Sequence, residues 1–78
     1  MTTHYLKIKD IYYNDILNGS KTFELRKNDR DFQFGDLIQF QPENNELDTP
    51  LFQIVYVLKD VPQYGLAKGY AILGIEKE

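Results

Sequence analysis

Cysteine and tryptophan are missing from the sequence, histidine and methionine occur once each, and no apolar run approaches the ~18 residues that a membrane-spanning helix needs. Without cysteine there is no disulfide, no thiol nucleophile and no thiolate-bound zinc or iron–sulfur centre, a composition that suits a reducing cytoplasm. A lone histidine, His4, excludes a metal site built from several imidazoles. Glu43, Glu46 and Asp48 lack the glycine-centred spacing of a calcium loop, so neither a metal nor another cofactor is expected. A basic-then-apolar leader is also lacking, and the expectation is a soluble cytoplasmic domain without membrane contact.

The 78 residues, 42% of them hydrophobic, suffice for one domain over positions 1–78. A chain so short buries only about 60–65% of the surface it exposes when unfolded, which leaves no room for a large multi-site enzyme. Nine Lys and Arg stand against twelve Asp and Glu, a formal net charge of −3. That balance excludes a general phosphate-coating protein, whose affinity comes from many cations. It permits a local basic pocket: Lys21, Arg26, Lys27 and Arg30 lie close in sequence, away from Glu43, Glu46 and Asp48.

Hydrophobic alternation predicts a first strand over Thr3 to Ile8, with Tyr5 and Lys7 on one face and Leu6 and Ile8 on the other. Asp10 stands at a helix N-cap, Ile11, Tyr12, Tyr13, Ile16 and Leu17 follow at helical spacing, and Asn18-Gly19 supplies the stop. Thr22 to Lys27 reads as a half-buried strand, its charged face carrying Glu24 and Arg26 and its apolar face Phe23 and Leu25. Further strands are expected at Leu37 to Phe40, Leu51 to Leu58 and Tyr70 to Ile75, with Gly74 a bulge or corner. Gln41 to Pro50 reads as an exposed connection. The order β-α-β-β-β-β makes a mainly β chain with one short helix. A strongly bent sheet or partly closed barrel is expected, since closure removes exposed edges, with the helix plugging one end.

The most specific segment is Gly19-Ser20-Lys21-Thr22-Phe23-Glu24-Leu25-Arg26. It places Lys21 at the helix-to-strand turn and puts Glu24 and Arg26 on one face of the strand, so the three charges converge. The plain reading is a surface ion pair worth ~0–1 kcal/mol. The functional reading is a pocket in which ammonium, guanidinium and carboxylate meet a nucleotide's phosphate and base edge.

The pattern Gly-x-Lys-x-x-Glu-x-Arg resembles the ASCH domains of the PUA-like superfold, and within them the small DUF3850 group. The resemblance extends to His4-Tyr5-Leu6-Lys7-Ile8, to Arg26 through Phe32, to Phe34-Gly35-Asp36, to Tyr64-Gly65-Leu66 and to Gly69 through Ile75. It implies a small β-barrel whose cleft binds RNA or a nucleotide through Lys21, Glu24 and Arg26. An ASCH-type enzyme deacetylates N4-acetylcytidine with a lysine, a threonine and a glutamate. Its lysine matches Lys21, but Glu24 occupies the threonine position and the glutamate has no counterpart here. Those two departures count against catalysis, and a small amidohydrolase of modified nucleosides stands as an alternative on the matching lysine alone. A protein-interaction domain of a phage or mobile element, with contact through Gln41 to Pro50, is another.

Four further residues complete the candidate binding set. Lys7 shares the parity of Tyr5 and reaches the cleft mouth, and Arg30, with Lys27 near it, is a phosphate guide in a turn shared with Asp29 and Asp31. Tyr64 and Tyr70, next to Gly65 and Gly69, are base-stacking candidates. Phe23, Phe40 and Tyr56 are assigned to the core, and His4 is expected to be a hydrogen-bonded structural residue rather than a ligand.

Overall fold

In the computed structural model, residues 1–44, 46 and 48–78 are described. Strand β1 (Thr3–Ile8) leads into helix α1 (Asp10–Leu17), followed by β2 (Phe23–Lys27), β3 (Leu37–Pro42), β4 (Leu51–Lys59), a 3-10 turn (Pro62–Tyr64) and β5 (Tyr70–Lys77). The strands form one sheet in the order β1-β3-β4-β5-β2, curled into a half-barrel. β1 and β3 run parallel, and all other neighbours are antiparallel.

The core lies on the concave side. Leu6 and Ile8 of β1, Ile38 and Phe40 of β3, Phe52 and Ile54 of β4, and Ala71, Leu73 and Ile75 of β5 meet there. Helix α1 contributes Tyr13 and Ile16, and the 28–33 turn contributes Phe32. Each of the Leu, Ile and Phe side chains among these, buried in full, stabilises the fold by about 1.5–3 kcal/mol. The ring of Phe32 lies 4.7 Å from that of His4, which is also buried and bonds Asp36 Oδ2 through Nε2 at 2.8 Å. His4 thus fastens β1 to the Phe34-Gly35-Asp36 turn, the structural role expected of it. Burial pushes the Asp36 carboxyl up, but hydrogen bonds from His4 and from the Thr2 and Gln33 backbone outweigh it and hold it below the usual carboxylate range.

Several boundaries and faces differ from those read in the sequence. The helix starts at Asp10 as expected, yet Asp10 does not cap it; Lys9 holds the N-cap position without a side-chain bond. The Asp10 carboxylate instead accepts from Asn44 N–H at 3.1 Å, while Asp10 N–H donates to Glu43 Oε1 at 3.1 Å. A carboxylate 33 residues away in sequence therefore satisfies one of the free N–H groups at the helix start. Asn18-Gly19 ends the helix as expected, Gly19 taking φ +86°.

The connection expected from Gln41 to Pro50 begins two residues later, after Pro42. Gln41 and Pro42 extend β3, Pro42 is buried, and Thr49 Oγ1 is tied to the Phe40 carbonyl at 2.9 Å. Asn45 and Leu47 of that connection lie outside the described residues.

Phe23 and Tyr56 were assigned to the core, and both are exposed; Phe40 is buried as expected. Tyr56 turns outward because the β4–β5 register shifts between Ile54 and Tyr56, inserting Val55 as an extra residue. After such a bulge the inward parity moves by one, so Val57 rather than Tyr56 packs on the core. The bulge belongs to β4, and Gly74 is the residue facing it. A Cβ on Gly74 would sit 3.1 Å from Tyr56 Cβ. On β2 the expected faces are exchanged: Glu24 is 5% exposed, whereas Phe23 is 46% and Leu25 53% exposed.

Candidate functional site

Curling the sheet brings its two edge strands, β1 and β2, toward each other. Leu37 N–H donates to the Thr2 carbonyl and Ile75 N–H to the Thr22 carbonyl. Backbone groups alternate sides along a strand. These bonds therefore leave Tyr5 and Lys7 of β1, and Phe23, Leu25 and Lys27 of β2, with their backbone turned to the open side. Two guanidinium groups span the gap. Arg26 Nη2 donates to the Lys7 carbonyl, and Arg30 Nη1 to the Tyr5 carbonyl at 3.1 Å. The half-barrel is thus laced shut by side chains where a closed barrel would have a backbone ladder.

Inside this seam Glu24 is the organising group. Leu73, its partner in the β5 register, is buried, which fixes the carboxylate on the concave side. An ionised carboxylate buried there needs partners. Oε1 accepts from Lys21 Nζ at 2.6 Å and Oε2 from Arg26 Nε at 2.8 Å. With both oxygens taken by cations, neither is a free base in this arrangement.

Lys21 is positioned from two directions. Its backbone N–H donates to the Asp15 carbonyl at 3.0 Å, folding the chain back on the end of α1. Its ammonium then lies 5.2 Å from the ring centre of Tyr12 and 5.3 Å from that of Phe23, within range of a cation–π attraction. The exposed ring of Phe23, at odds with a core role, has its explanation here: it forms one wall of the Lys21 site.

The groove along the seam measures about 520 Å³. It is lined by five cations, Lys7, Lys9, Lys21, Arg26 and Lys27, against one carboxylate, Glu24. In a chain of net charge −3 this is a concentrated positive field. Of the seven residues singled out in the sequence, the structure brings Lys7, Lys21, Glu24 and Arg26 together here. Arg30 stands beside them at the seam, bonded to Tyr5. Tyr64, 82% exposed, sits in the 3-10 turn, and Tyr70 pairs with Lys27 across the β2–β5 ladder. Neither tyrosine lines the groove. Lys27, grouped in the sequence with Lys21, Arg26 and Arg30 as a local basic cluster, lines the groove, whereas sequence reasoning missed Lys9, Tyr12 and Phe23 as lining residues. The one signal for Tyr12 was its place beside Tyr13, where helical spacing lets only one of two adjacent rings face the core.

A second hollow of about 710 Å³ lies on the other side of β1, between the outer face of β1–β3 and Glu43, Glu46 and Thr49. Its two acids are engaged with the helix. Glu43 takes the Asp10 N–H, and Glu46 Oε2 accepts from the Tyr13 hydroxyl at 3.3 Å. Burial first, then the charge and hydrogen bond of Glu46, pushes the Tyr13 phenol up to about 12. Among the described residues no group of three His, Asp or Glu is placed to hold a metal ion, and no helix is long and apolar enough to cross a membrane.

These features define a small half-barrel domain with a cationic seam. The family model for a domain of unknown function, DUF3850, matches residues 3–75, and the chain belongs to that family. No curated protein sequence matches it.

Proposed function

We propose that this DUF3850 domain is an ASCH-type, PUA-like barrel that binds RNA or a nucleotide in the seam between β1 and β2, in the cytoplasm. The observation that carries the reading is the segregation of charge. Five cations face one groove while the chain as a whole is acidic, and the groove's only carboxylate is already neutralised by Lys21 and Arg26. Such a surface attracts phosphate. Tyr12 and Phe23 offer aromatic faces at its wall, the complement of an unpaired base, where stacking contributes about 1–3 kcal/mol per base. The flexible ammonium groups of Lys7 and Lys9 supply the phosphate contacts, while Arg26, its Nε and Nη2 committed to Glu24 and to the Lys7 carbonyl, adds its charge to the groove.

The test is fluorescence anisotropy of short labelled RNA and DNA oligomers at low and physiological salt. Wild type is compared with Lys21→Ala and with the double variant Lys7→Ala/Lys9→Ala, whose positions are exposed and leave the core intact. Saturable binding that weakens in both variants and falls with salt supports the reading. Affinity unchanged by all three substitutions overturns it.

A further inference from the structure

The seam groove and the second hollow share Lys7, Ile8 and Lys9, so the end of β1 and the residue after it form a ridge between two depressions, with the exposed Lys7 and Lys9 on the crest. The far depression has the contents of a base site. In the parallel register Tyr5 lies beside Gln39 and Lys7 beside Gln41, which puts a ring and two amides on one floor. Tyr5 is 54% exposed. Gln39 Nε2 donates to the Thr49 carbonyl at 3.1 Å. A carbonyl only accepts, so this bond fixes the amide's orientation and presents Oε1 as an acceptor. Such an oxygen matches the exocyclic amine of adenine or cytosine. Among the described residues Glu43 and Glu46 are bonded to Asp10 N–H and the Tyr13 hydroxyl rather than to the glutamine amides of the floor.

We propose that the ligand is a single-stranded RNA segment of at least two nucleotides that straddles β1. One base occupies the seam beside Tyr12 and Phe23, the next stacks on Tyr5 within reach of Gln39, and the joining phosphate rests on Lys7 and Lys9. Alternate residues of a strand are about 6.6 Å apart, so Tyr5 and Lys7 of β1 stand at a spacing comparable to successive nucleotides of an extended single strand, and Lys9 continues the line just past the strand end, where the backbone is still extended. The proposal rests on RNA or nucleotide binding at the seam, and it adds that a mononucleotide fills only half of the site.

The experiment is a calorimetric titration of the wild-type protein with adenosine 5′-monophosphate and with oligoadenylates of two, three and four nucleotides. It is repeated with Tyr5→Ala; Tyr5 is exposed, and Gln39 is left intact because it secures Thr49. The expected result is an affinity step of about tenfold between the mononucleotide and the dinucleotide, the scale of one added stacked base. Tyr5→Ala removes that step and leaves the mononucleotide affinity unchanged. A dinucleotide that binds no tighter than the mononucleotide, or a step that survives Tyr5→Ala, overturns the straddling arrangement while leaving the seam as a nucleotide site. No binding of any of these, nor of mixed-sequence RNA in the anisotropy assay, overturns the seam reading and this inference with it.

Discussion

Glu24 is where the stability of this domain and its candidate chemistry meet. Its carboxylate is almost fully buried, and it is tolerated there because Lys21 and Arg26 each donate to a separate oxygen. Hydrogen bonds to charged groups contribute about 1.5–3 kcal/mol each, more than neutral ones. Glu24→Gln keeps the shape but removes the charge and replaces one acceptor oxygen by a donor facing a cation. It is expected to lower unfolding stability by about 2 kcal/mol in urea denaturation. Asp36 offers a second, pH-dependent test. Its folded value lies below the ordinary 3.8, so its contribution is fully present above about pH 4 and is lost as the pH falls through the lower folded value. Urea midpoints measured from pH 7 down to pH 2 should fall on the acid side for wild type. Asp36→Asn should be less stable at pH 7 and show a flatter acid limb.

At the scale of elements, pattern reading succeeded where one face of a strand is wholly apolar and failed where an ion pair or a bulge intervened. β1 was legible because His4, Leu6 and Ile8 alternate with residues that are exposed. The stop at Asn18-Gly19 was legible because glycine alone enters the left-handed region without strain. β2 misled: hydrophobicity turned Phe23 and Leu25 inward, whereas two cationic partners make the inward carboxylate the stable arrangement. In β4 a single extra residue, Val55, reverses the parity of all that follows, and composition carries no trace of it. The cap of α1 was unreadable for another reason, since its acceptor, Glu43, reaches it only through the tertiary fold. The bulge yields its own prediction. Gly74→Val places a branched side chain where even a Cβ is 3.1 Å from Tyr56 Cβ, and overpacking of this kind costs about 1–3 kcal/mol. Thermal unfolding of Gly74→Val should show a lowered midpoint, with Gly74→Ala intermediate.

For the whole molecule, the open half-barrel determines where function can reside. A closed barrel would join β1 to β2 by a backbone ladder and leave no groove. Here Arg26 and Arg30 hold the edges at side-chain length, and the space between them collects Lys7, Lys9, Lys21 and Lys27. The convergence of Lys21, Glu24 and Arg26 was legible from their spacing, because residues two apart share a strand face. The participation of Lys9, Tyr12 and Phe23 was not, because it depends on how far the sheet curls and on where α1 comes to rest. The measurement that bears most directly on the cationic seam is amide chemical-shift mapping of isotopically labelled protein titrated with a short single-stranded RNA. The account predicts saturable shifts centred on Lys7, Lys9, Tyr12, Lys21, Phe23 and Arg26. Shifts confined to the outer face of β4 and β5, around Tyr56, Tyr70 and Ile72, would contradict it.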